Sequence, residues 1–170
     1  MDLVLIVLRL IHIVSGVLWV GGAFLVFRFV EPAIKDLGPQ GEPFMSRVGP
    51  RLPPYFITVS GLTVLAGTAL FWIDSGGDPI GWITRDATGL AFGIGGIAAW
   101  IAFLLGPIAF KPIFEEMEAA AAAMKSAGGP PTQEMVARME AVQERLARVN
   151  VVDLVMLGIA VVTMAIARYL

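Results

Sequence analysis

Long apolar stretches dominate the chain: about Leu3 to Val30, Pro54 to Ile73, Thr88 to Phe110 and Val151 to Leu170. The hydrocarbon core of a bilayer is about 30 Å thick and takes about 20 helical residues to cross. Each stretch meets that length. None alternates apolar and polar residues with the period of two that marks a half-buried strand, and a bilayer excludes open sheet edges. The pattern predicts an all-α integral membrane protein. It forms one domain over residues 1–170, with four transmembrane helices in an antiparallel bundle.

The connections differ from one another. The first carries Pro32, Gly38, Pro39, Gly41, Pro43, Gly49, Pro50 and Pro53, a density of breakers that predicts no long helix. Phe44, Met45 and Val48 predict one short interfacial turn there. In the third, the alanine-rich run from Glu115 to Ala127 continues helix three out of the membrane. Gly128-Gly129-Pro130-Pro131 ends it, and Thr132 is the expected N-cap of the return helix. Met135, Met139, Val142, Leu146 and Val149 follow at coiled-coil spacing, facing Phe114, Met117, Ala121 and Met124. Residues 111–150 are therefore expected to project as a helical hairpin, roughly 20–25 Å beyond the bilayer at the helical rise.

Composition agrees with the pattern. Apolar residues make up 57% and charged residues 15%, against about 45–50% and about 25% in soluble domains. Mean hydropathy is +0.80. Cysteine is absent, which excludes disulfides, thiolate metal sites and cysteine nucleophiles, and His12 is the single histidine. A net charge of −2 gives no reason to expect nucleic acid as a partner. Charge distribution sets the orientation. Connections one and three hold Arg28, Lys35, Arg47, Arg51, Lys111, Lys125, Arg138, Arg145 and Arg148, whereas connection two holds only Arg85. The positive-inside rule puts connections one and three in the cytoplasm and both termini outside. The start Met1-Asp2 is acidic, and the apolar run to Phe27 is too long for a signal peptide, so it is read as a retained span.

Ionisable groups inside a membrane are costly, so each asks for a reason. Helix one carries Arg9 and His12 on a face with Asp2, Leu5, Gly16, Trp19 and Ala23. Helix four carries Asp153, Leu157, Ala160, Met164 and Arg168 along a comparable stripe. Helix three adds Gly89, Gly93 and Gly96, then Ala99 and Gly106. Small residues either let helices touch or leave room for a flat ligand. His12 and Met164 fall about 13 Å and about 9 Å from the outer ends of their helices at the helical rise. Imidazole nitrogen and thioether sulfur are ligands for haem iron and copper, and Arg9 and Arg168 are placed to meet haem propionates. The candidate cofactor site is therefore His12, Met164, Arg9, Arg168, Gly93 and Gly96, with His12 as metal ligand. Structural roles compete with this one. His12 can bond Ser15, Thr163 or a helix carbonyl. Arg9 can snorkel to headgroups. The glycines can be a packing face, and Asp153 and Asn150 can sit at the inner interface beside Arg148. Trp19, Trp72, Trp82 and Trp100 partly mark the interfaces.

The stretch Leu8-Arg9-Leu10-Ile11-His12-Ile13-Val14-Ser15-Gly16-Val17-Leu18-Trp19-Val20-Gly21-Gly22 resembles the CopD-like superfamily of bacterial four-helix membrane proteins. That group includes copper-resistance CopD domains and HemJ-type and related uncharacterised families. Glu31-Pro32-Ala33-Ile34 and Gly41-x-x-Phe44-Met45-x-Arg47 resemble its first cytoplasmic loop, so the resemblance covers residues 5–51. It implies a four-helix unit in the bacterial inner membrane and, for some members, haem b held by the first-helix histidine, here His12. HemJ-type enzymes carry a lysine inside a later span. No lysine lies inside a span here, so protoporphyrinogen oxidase activity is not expected. Copper transport calls for several His or Met ligands, and the spans offer His12, Met156 and Met164, so copper ranks behind haem b.

The leading expectation is a membrane protein that binds haem b or a metal through His12, with a redox or cofactor-handling role. The alternative is an accessory or scaffolding subunit of a homo-oligomer or larger membrane complex. A small transporter is a weaker alternative, for want of a repeat or broken helix pair. No P-loop, nucleophile elbow or usefully spaced carboxylate pair is found, and no catalytic residue is assigned.

Overall fold

The computed structural model describes residues 3–170, the side chain of Pro39 excepted; every regular element among them is a helix, with no strand. Asp2, expected on the face of the first helix, lies outside the described residues. The helices are α1 (Leu3–Leu25), α2 (Glu31–Leu37), α3 (Glu42–Val48), α4 (Leu52–Asp74), α5 (Pro79–Arg85), α6 (Ala87–Leu105), α7 (Lys111–Ser126) and α8 (Gln133–Ala167). They join into four long runs, Leu3–Leu37, Glu42–Asp74, Ala87–Ser126 and Gln133–Ala167, each long and apolar enough to cross a membrane.

The runs associate chiefly as α1 with α4 and α6 with α8. Along the first pair, contacts pass from Arg9–Asp74 through His12–Thr63 to Leu18–Tyr55, where the Tyr55 hydroxyl donates to the Leu18 carbonyl at 2.7 Å. The shared core lies inward of His12. Trp19, Ala23, Val59, Val64, Ala102 and Leu157, drawn from all four runs, form one buried cluster. Trp19 is thus a core residue at 5% exposure and not an interfacial marker. The end of the bundle holding Leu3 and Ala167 is here the terminal end, and the opposite end is the hairpin end.

The connection between Val30 and Leu52 departs from expectation. It is helical through most of its length, broken chiefly at Gly38, whose φ of 55° an L side chain rarely adopts. Pro32, Pro43, Pro50 and Pro53 sit in first turns, where no backbone donor is needed. Pro32 has a further device. Val26–Val30 is a π turn, closed by the Glu31 N–H to the Val26 carbonyl. Gly106–Phe110 is a second π turn, closed by Lys111 N–H to the Gly106 carbonyl, and Pro112 follows it as Pro32 follows the first. A proline ring crowds the carbonyl four residues earlier, and that carbonyl lies within the widened turn in both cases. In the first connection the helix therefore runs on where the composition predicts a stop, and in the third it runs on as expected.

The remaining connections carry one addition and one correction. After α4, Asp78 Oδ1 accepts from Gly81 N at 2.9 Å and Pro79 opens α5. In the hairpin, Thr132 caps α8 as expected, accepting from Met135 N at 3.3 Å. The seam, however, is built on Ile113, Val142 and Leu146, with Met117 and Val149 beside them. Phe114 lies outside it at 41% exposure and stacks on Phe110 at 6.2 Å instead. Ala120 rather than Ala121 is the buried alanine.

Candidate functional site

His12 is half-buried on α1 and faces α4. Its Nδ1 lies 2.8 Å from the backbone carbonyl of Thr63. A carbonyl only accepts, so Nδ1 carries a proton, and the tautomer this selects has its lone pair on Nε2. Among the described residues Nε2 has no hydrogen-bond partner. The approach depends on Gly67. In a helix, the residue four places on stands over each carbonyl, so a side chain at 67 would cover the Thr63 carbonyl. A Cβ there would lie 2.7 Å from His12 Cε1 and 2.8 Å from Nδ1. Neither Thr63 nor Gly67 is picked out from the sequence. A glycine within the second apolar stretch is the only signal, and its partner lies 55 residues upstream (67 − 12).

A polar pair supports the ring from below. Thr63 Oγ1 donates to Ser15 Oγ at 2.8 Å, and Ser15 Oγ donates to the Ile11 carbonyl at 2.5 Å. Both side chains are buried, so the α1–α4 contact is fixed by hydrogen bonds as well as packing. Gly16 sits against the Thr63 methyl group.

The other predicted members are not gathered around His12. Arg9 lies 3.4 Å from Asp74, a pair largely open to its surroundings. Met164 packs on Gly95 of α6, where an added Cβ would meet its Cγ at 2.9 Å. Arg168 is exposed beyond α8 with its guanidinium 5.8 Å from the Tyr169 ring centre. The helix-three glycines do not form one slot. Gly93 receives Ile83 of α5, and Gly89 receives Trp82, which joins Phe71 and Phe92 in an aromatic group at the terminal end. Gly96 alone of the predicted pair faces open space.

The residues present fit one nitrogen ligand for a haem iron or metal ion. They do not provide a preformed second ligand opposite it, and among the described residues no group of three or more His, Cys, Asp or Glu side chains is placed to hold a metal. At the entry to α6, Asp86 Oδ1 accepts from Thr88 N at 2.7 Å and Gly89 N at 3.2 Å, and these bonds hold its carboxyl below the usual aspartate value of 3.8. Compared with protein-family models, curated proteins and solved structures, the chain has no match.

Proposed function

We propose that the protein is an antiparallel four-span bundle of the bacterial inner membrane that holds haem b or a transition-metal ion on His12, in a redox or cofactor-handling role. One observation carries the reading: the Thr63 carbonyl commits Nδ1 as donor and leaves the Nε2 lone pair without a partner. Metal-bound histidines commonly take this form, the second nitrogen donating to a carbonyl that fixes tautomer and ring orientation. A histidine kept for packing alone gains by satisfying both nitrogens. The resemblance over residues 5–51 supports the same residue.

Bound there, haem iron or a metal supplies electron transfer or ligand binding at an open coordination position. The chain orients the imidazole, through Thr63 and Gly67, and surrounds it with apolar helix. The Arg9–Asp74 pair is exposed and contributes little, so Arg9 is available to an acidic group of the cofactor. The excess of Lys and Arg in connections one and three supports a cytoplasmic hairpin with both termini outside.

The test is purification from cells supplied with haem precursor and trace metals, followed by absorption spectroscopy and elemental analysis. A Soret band or stoichiometric metal is expected in the wild type and absent in His12→Ala. Wild-type protein carrying neither overturns the reading.

A second reading is an accessory subunit of a larger membrane complex. It is favoured by α1, which buries only Ser15, Trp19 and Ala23 and leaves Leu3–Val14 without a buried residue. That apolar surface meets lipid or a partner's span. Native mass spectrometry from mild detergent that finds a lone monomer argues against it.

A further inference from the structure

At the hairpin end, three polar side chains lie between the first and last helical runs. Asn150 and Asp153 of α8 are 6% and 4% exposed. Spaced three apart, they share one helix face, on the buried stripe that continues through Leu146 and Leu157. Asn150 Nδ2 donates to Glu31 Oε2 at 2.8 Å. Its other polar atom, Oδ1, is buried with no partner. Asp153 makes no hydrogen bond or ion pair among the described residues. Arg148, expected beside it, forms its ion pair with Glu144 instead, at 3.9 Å.

Lys35, four residues on, acts on Glu31, but no basic side chain pairs with Asp153. Lys111 lies 3.9 Å from Glu115 and Arg145 lies 2.8 Å from Glu116. Arg28 and Lys35 are exposed. Neither α6 nor Gly106–Phe110 has an ionisable side chain. From α4, Tyr55 is committed to the Leu18 carbonyl. Glu31 directly follows the first π turn, and the second is tied to the first by the stacked rings of Phe27 and Phe110, 5.8 Å apart. Such turns within long helices are frequent at functional sites.

A buried carboxylate beside an unpaired amide oxygen needs a positive partner. We propose that Asp153, Asn150 and Glu31 bind a small monovalent cation, a proton or an alkali ion, entering from the hairpin end. All three offer oxygen, which suits hard cations over softer transition metals. The Asn150 amide nitrogen is already used, so Oδ1 and Asp153 present acceptors only. This site is independent of His12, which lies beyond the core cluster of Trp19 and Leu157.

The experiment uses the full chain in lipid nanodiscs. Thermal unfolding is followed by tryptophan fluorescence in sodium or potassium chloride, against N-methylglucamine chloride at equal ionic strength and across pH. The carboxylic-acid C=O stretch is recorded by infrared spectroscopy in parallel. An alkali ion gives a saturable rise in Tm that N-methylglucamine does not reproduce, lost in Asp153→Asn. A proton gives no alkali dependence but a protonated-carboxyl band, also lost in Asp153→Asn. Asn150→Leu, which keeps Asp153, should remove the alkali response or move that band. Wild-type protein with neither signal, or with signals unchanged in both variants, overturns the proposal. The wild-type measurements stand even if a variant does not fold.

Discussion

An imidazole reaches a carbonyl inside a neighbouring helix only where no side chain covers it. Gly67 meets that condition for His12, and the substitution Gly67→Ala tests it. Alanine gains about 1 kcal/mol of helix propensity, while displacing the ring costs about 1–3 kcal/mol. The net loss of stability is therefore expected to be small, about 2 kcal/mol at most. The tautomer is the sharper readout. With one histidine in the chain, nitrogen NMR gives a single pair of ring signals. The wild type should show a protonated Nδ1, and Gly67→Ala should lose that fixed state. His12 itself was legible in the sequence as an ionisable group within a span. Its partner was not, because the Thr63 acceptor is a backbone atom and carries no residue signature. Asp86 gives a second residue-scale prediction. Its carboxyl is held below its ordinary value by the α6 N-terminal amides. The cap is thus fully present above the unfolded aspartate value and is lost as pH falls through the lower folded one. Wild-type Tm should fall in that acidic window, and Asp86→Ala should start lower and show less of the fall.

At the scale of elements, apolar length located all four long helices, and the capping residue Thr132 located the start of α8. Proline content misled in the first connection, at Pro32, because a π turn depends on backbone geometry that composition does not encode; across Pro112 the continuation of the helix was expected. The hairpin seam was legible as a repeat but not in its choice between adjacent positions. Phe114 is the larger apolar residue, yet Ile113 is 2% exposed and Phe114 stacks outward on Phe110. Ile113→Ala is expected to cost about 2–5 kcal/mol through the cavity it leaves. Phe114→Ala should cost clearly less. Hydrogen exchange over Lys111–Ser126 would separate the two, with protection lost in the first and largely kept in the second.

For the whole molecule, the two pairs α1–α4 and α6–α8 share a plan: each begins with an apolar helix that ends in a π turn and a following proline. This parallel is faint in the sequence, because the residues around Pro32 and Pro112 differ in charge. Long-range contacts such as Glu31–Asn150 were not legible at all, since 119 residues separate them. The proposed orientation is open to direct test because the chain has no cysteine. Ser75→Cys should react with a membrane-impermeant maleimide on intact cells, and Ser126→Cys only after permeabilisation. The reverse pattern would invert the bundle. The central claim concerns His12, and chemical rescue addresses it most directly. His12→Gly removes the ring and leaves space for free imidazole. Haem or metal content should fall to background in that variant and return when imidazole is added during assembly. Retention of the cofactor by His12→Gly without imidazole would show that His12 is not the ligand.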